Sequence, residues 1–145
     1  MQVYIISMGN TQANSVQKEE EHRQIPSDFI SQIVFVDGNS NKFHFTEEKD
    51  GKLHFDYFGI KPIESSSGMY NGGPDVHKII SQEHFQSARD FFAQGKLAVS
   101  DHVQERTMGT WIASKVENGV TDTYYLGASG TFTNELRNAL DSLRN

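Results

Sequence analysis

The sequence predicts an α+β fold: an antiparallel sheet of about six strands, arranged as two βββα halves, with two helices packed on one face. Three observations predict it. Residues 42–57 hold two runs that alternate apolar and polar side chains. Asn118-Gly119, the strongest short hairpin signal, separates two runs rich in β-branched and aromatic residues. Residues 81–94 and 131–145 carry apolar stripes at helical spacing.

The first strand is expected at FISQIVFV (Phe29–Val36), whose only polar interruptions are Ser31 and Gln32. DGNSN follows with turn chemistry, because Asp, Asn and Gly accept left-handed backbone and bond their own main chain. KFHFT and KLHFDYFG then form a hairpin around EEKDG. Closing that loop symmetrically sets Phe45 against Leu53, His44 against His54 and Phe43 against Phe55. Phe43, Phe45, Leu53, Phe55 and Tyr57 share one face; Lys42, His44, His54 and Asp56 share the other.

A helix is expected over residues 81–94, with Ser81 as N-cap, Gly95 just past its end, and Phe85, Ala88 and Phe92 as its stripe. Residues 97–103 read as a strand. A type I′ turn at Asn118-Gly119 pairs Lys115 with Asp122, Ala113 with Tyr124 and Trp111 with Leu126. The last helix is TFTNELRNALDSLRN, with Thr131 or Thr133 as cap and Phe132, Leu136, Ala139, Leu140 and Leu143 as its apolar stripe. Residues 29–145 therefore form one α+β domain.

Residues 1–28 differ in kind. Between positions 9 and 28 only Ala13, Val16 and Ile25 are apolar, too few to offset the ordering entropy of the segment. They read as a polar tether or trimmed leader. MQVYIISM ahead of them reads as a short edge strand or ordered terminus, its apolar core being shorter than the ~7–15 residues of a secretory signal. The long polar stretch favours an exported or periplasmic chain over a cytoplasmic one.

Composition removes several function classes. A net charge of −6 and a pI near 5.4, with scattered basic residues, exclude nucleic acid as a partner. The absence of cysteine excludes disulfides, thiolate zinc sites and cysteine nucleophiles. No apolar run approaches the ~18 residues of a membrane span.

The stretch SSSGMYNGGPDVHK, residues 65–78, concentrates the residue types that carry chemistry. It lacks the Lys and hydroxyl of a phosphate loop, and its glycines stand well before the helix start. Ser67, Asp75 and His77 supply the types of a catalytic triad without a G-x-S-x-G elbow. Asp37, Asn39 and Asn41 with Glu48 echo a calcium loop, but Lys42 stands where the sharp turn requires Gly, so a hairpin is the better reading. His44, His54 and Asp56 form a usable metal-ligand set, outweighed by a polar sheet face. No cofactor is expected.

These exclusions favour a non-enzymatic protein-binding domain, an immunity-type inhibitor that occludes a partner toxin or enzyme. Met69 and Tyr70 would anchor in the partner's cleft. Glu64, Asn71, Asp75 and His77 complete the expected contact set, meeting basic or metal-bearing groups of that partner. The alternative is a small hydrolase or ligand-binding protein using the same loop.

Overall fold

In the computed structural model, which describes residues 23–145, strand β1 (Phe29–Val36) lies at the centre of the sheet. Its neighbours are β2 (Lys42–Glu48) and β5 (Trp111–Glu117), both antiparallel to it. Beyond β2 come β3 (Leu53–Phe58) and the short edge strand β4 (Val76–Ile79); beyond β5 comes β6 (Val120–Leu126). Helix α1 (Gln82–Leu97) and helix α2 (Thr131–Arg144) complete the α+β class that the sequence predicts. The expectations for residues 1–22 lie outside the described residues.

Both helices cover the same face. Ile33, Phe35, Phe43, Phe45, Phe55 and Tyr57 alternate along β1–β3 with the opposite face and are buried against Phe85, Ala88, Phe92, Leu136 and Leu140 of the helices. Trp111, Ala113, Tyr124 and Leu126 extend the same core. The β5–β6 hairpin has the expected register throughout, with Asn118 and Gly119 both at positive φ. A type I′ turn needs that conformation twice, and Asn-Gly supplies it with little strain.

Several features differ from expectation. The β2–β3 hairpin is shifted by two residues, so Phe45 faces Phe55 and His44 faces Asp56. Pairing continues into Glu48, whose amide bonds the Lys52 carbonyl, because Gly51 at φ 89 closes a tighter turn than the symmetric loop. A shift of two leaves each side chain on its expected face, since the period of a strand is two.

The expected strand at 97–103 is instead a 3-10 turn (Val99–Asp101) and a single bridge between His102 and Leu126. The sixth strand is β4, drawn from the end of the loop-like stretch 65–78, so four strands precede α1 and two follow it. Asp101 explains the turn. Its carboxylate accepts the Phe132 amide at 2.8 Å, capping α2 from outside the helix, while Gly130 occupies the N-cap position in place of the expected threonine. A side chain at Gly130 would collide with that carboxylate.

Ser81 caps α1 as expected, its Oγ accepting the His84 amide at 3.1 Å. The helix nevertheless runs past Gly95, which serves as a contact surface rather than a terminator. A Cβ there would strike the Tyr124 hydroxyl and the Phe132 ring, and the Gly95 carbonyl accepts from His102 Nε2 at 2.7 Å. Helix propensity alone would make Gly95→Ala stabilising by about 1 kcal/mol. Overpacking a site held by the buried Tyr124 to Phe92 hydrogen bond costs about 1–3 kcal/mol, so we expect net destabilisation, read as a lower urea midpoint at unchanged m-value.

Candidate functional site

The residues singled out by sequence occupy two distinct places. Glu64, Met69, Tyr70, Asn71 and Asp75 lie on the connection between β3 and β4, whereas His77 lies within β4 and turns to the sheet face opposite the helices.

The connection is held to the sheet by Asn41, the last residue of the β1–β2 turn. Its side chain is buried and fully used: Nδ2 donates to Asp37 Oδ2 and to Tyr70 Oη, each at 3.0 Å, and Oδ1 accepts the Ile60 amide at 2.8 Å. Asp37 Oδ1 meanwhile accepts the amides of Asn39 and Asn41. The Asp37-Asn39-Asn41 run is thus a turn cap in which the Asp37 carboxylate and the Asn41 amide bond within the chain, consistent with the hairpin reading.

A second tie runs through Gly72. Its amide donates to the Ile60 carbonyl at 2.9 Å and its carbonyl accepts the buried Tyr57 hydroxyl at 2.5 Å. A Cβ on Gly72 would collide with the Asn41 side chain, so only glycine permits this approach. Between the ties, Pro62–Glu64 form a 3-10 turn in which Glu64 accepts the Lys61 amide at 2.7 Å. Asn71 Oδ1 accepts the Gly73 amide, and Lys61 pairs with Asp75 at 3.0 Å.

Two large apolar side chains remain in solvent on this scaffold. Ile63 is 86% exposed and Met69 84%. Tyr70, at 37%, combines an open ring with a hydroxyl fixed by Asn41. Sequence reading overlooked Ile63, although its setting Lys-Pro-Ile-Glu, with Pro opening a turn and polar residues around it, marks a solvent-facing apolar residue. Asn41 was legible only as a turn residue beside Asp37; its ties to the connection had no local signal, because those two partners are 19 and 29 residues away.

The second place is the sheet face opposite the helices. Asp56 is fully buried there and accepts Arg23 Nε at 2.6 Å and Nη2 at 2.7 Å, with His77 Nδ1 at 2.9 Å. Burial alone would raise the Asp56 carboxyl; the hydrogen bonds from Arg23 and His77 outweigh it and hold the group below its ordinary value. Bonding to Asp56 likewise raises Arg23. His54 stacks on His77 with ring centroids 5.2 Å apart. Its Nε2 lies 2.5 Å from Glu48 Oε2 without the alignment of a hydrogen bond.

His44, paired with Asp56 in the ladder, meets the edge of the Phe58 ring at 5.3 Å and has a buried Nδ1 without a partner. Burial pushes it down to about 4. The His44, His54 and Asp56 ligand set is not assembled, since the carboxylate is engaged by Arg23 and His77. Among the described residues no three His, Asp or Glu are arranged to hold a metal ion. Nor do Ser67, Asp75 and His77 bond one another: Ser67 Oγ accepts the Met69 amide, Asp75 pairs with Lys61, and His77 is held by Asp56. No helix among the described residues is long and apolar enough to cross a membrane. Comparison with family models, curated proteins and solved structures gave no match.

The lowered His44 value sets a pH dependence with a definite sign. The unfolded chain binds a proton near pH 6.5 that the folded chain refuses until about 4, so this stability is complete above pH 6.5 and is lost as pH falls toward 4. Folded-state stability should fall by about 2 kcal/mol from this group between pH 7.5 and 4.5. Urea melts of wild type and His44→Leu at both pH values should show the variant losing less, by about that amount. Asp56 adds its loss only below the ordinary carboxylate range, outside this window.

Proposed function

We propose that this chain is a non-enzymatic protein-binding domain whose β3–β4 connection inserts into a cleft of a partner protein, in the manner of an immunity-type inhibitor. One observation carries the reading: Ile63 and Met69 stand in solvent on a connection tied down at Asn41, Gly72 and Tyr57. A loop already fixed in shape loses little conformational entropy on binding, so more of its contact energy appears as affinity. Ile63 and Met69 are then the anchors, with the Tyr70 ring beside them and Glu64 at the rim. Asn71 and Asp75 maintain the loop's shape through their internal bonds. The net charge of −6 suits a partner whose cleft is edged by basic groups.

A hydrolase is the second reading, and one observation favours it. A buried carboxylate orients His77 through Nδ1, which is how a general base is held. Asp56, not Asp75, would be the orienting group. Among the described residues no hydroxyl nucleophile bonds to His77, and Arg23 shares the carboxylate.

The test uses extracts of the source organism passed over immobilised wild type and Ile63→Asp/Met69→Asp protein, followed by titration of whatever wild type retains. Both substitutions are at exposed positions, so melting temperature should not change. We expect a specific partner whose affinity drops at least about tenfold in the variant. Equal retention by both proteins would refute the loop reading. Turnover of a chromogenic ester panel that His77→Ala abolishes would replace it with the hydrolase.

A further inference from the structure

Asn-Gly occurs twice in the sequence, at Asn71-Gly72 and at Asn118-Gly119. The pair is prone to cyclise, because glycine sets no side chain in the way of its own backbone nitrogen. That nitrogen, once its proton is lost to solvent base, attacks the Asn side-chain carbon Cγ. The N–Cγ bond forms, the Cγ–Nδ2 bond breaks, and Nδ2 leaves as ammonia. Water then opens the cyclic imide at either carbonyl, giving aspartate or isoaspartate. Water and base are the only other reactants, so the fold decides how readily each glycine amide is released to react.

The two pairs are held in opposite ways. The Gly72 amide donates to the Ile60 carbonyl at 2.9 Å, and the Gly72 carbonyl accepts the Tyr57 hydroxyl at 2.5 Å. Asn71 Oδ1 accepts the Gly73 amide at 2.9 Å, and the Asn41 side chain stands where a Cβ on Gly72 would lie. Reaction at Asn71 therefore requires these bonds to break together. Asn39-Ser40, a bulkier pair, is restrained likewise, its Ser40 amide donating to the Asp37 carbonyl at 3.0 Å. Asn118 and Gly119 are exposed at the tip of the β5–β6 hairpin. Among the described residues the Gly119 amide makes no hydrogen bond, and a Cβ on Gly119 would meet nothing within 4 Å. The positive φ values of 53° and 76° have to relax before Cγ reaches the nitrogen, but a turn at the end of a ladder is where opening costs least.

We propose that Asn118 is a spontaneous modification site of the folded chain, converted to aspartate and isoaspartate, while the ties at Asn41 and Gly72 protect Asn71. The product acts on the hairpin. Isoaspartate routes the main chain through the side chain and lengthens the turn by a methylene, whereas the β5–β6 register is set by a two-residue type I′ loop. Asn118 lies outside the β3–β4 connection, so the site does not depend on the partner-binding reading.

The whole chain is incubated in mildly alkaline buffer, folded and in urea, and tryptic peptides 53–78 and 116–137 are followed by mass spectrometry with isoaspartate resolved by chromatography. In urea the two Asn-Gly pairs should react at comparable rates. In the folded chain Asn118 should lead, Asn71 being slower by at least about tenfold, and both rates should rise with pH. Asn41→Ala should raise the Asn71 rate toward its value in urea and leave Asn118 unchanged; undiminished protection of Asn71 in the folded variant would remove Asn41 from the account. Asn71 reacting as fast as Asn118 in folded wild type, or Asn118 intact when its urea control has reacted, would overturn the assignment. That wild-type comparison is decisive even where Asn41→Ala fails to fold.

Discussion

The buried amide of Asn41 is the constraint on which the loop surface depends. It joins the β1–β2 turn, the exit of β3 and the ring of Tyr70 by three hydrogen bonds. Each group left unsatisfied at such a depth costs about 1–3 kcal/mol, so the three ties hold one another in place. Gly72 completes the arrangement by bringing backbone against the same amide, and the Tyr57 hydroxyl carries the tie into the core. Tyr57 also accepts Arg144 Nη1 at 3.0 Å, so the end of α2 is linked to the loop through one phenol. A phenol is protonated at neutral pH and so donates to Gly72, and burial raises this one further above its ordinary value.

The sheet face opposite the helices follows different physics. All six residues of β3 are buried, three of them against the helices and three on this other side. A buried carboxylate is tolerated there because Arg23 binds it with two nitrogens and His77 adds a third donor. Such a group is weak evidence for stability, since the desolvation it requires offsets much of its Coulomb attraction. Its structural effect is clearer. Asp56 joins the segment containing Arg23 to the middle of β3 and to β4, a strand of four residues that begins directly after the exposed connection.

Much of this fold was legible in the sequence where the signal is local. The β5–β6 register follows from Asn118-Gly119, and the faces of β2 and β3 follow from strict alternation, surviving even the two-residue shift at Gly51. Ser81 was legible as a cap for the same reason. Features set by distant partners were not. Gly95 resembles a helix terminator until Tyr124 and Phe132 are placed against it, and the cap of α2 comes from Asp101, about thirty residues earlier. Val76–Ile79 reads as loop because glycines and a proline precede it, yet β3 offers it an open edge. In the candidate site, Met69 and Tyr70 could be found by type; Asn41, Ile63 and the Asp56–His77 contact required the fold.

That the connection is rigid before any partner arrives is the claim from which the functional reading grows, and amide hydrogen exchange in wild type and Asn41→Ala measures it directly. In wild type the Gly72 and Ile60 amides, both hydrogen-bonded, should exchange far more slowly than an open loop allows. In Asn41→Ala both should lose protection while amides at the centre of β1 and β5 keep theirs. Fast exchange at Gly72 in wild type, or undiminished protection in the variant, would contradict a loop held in shape by Asn41.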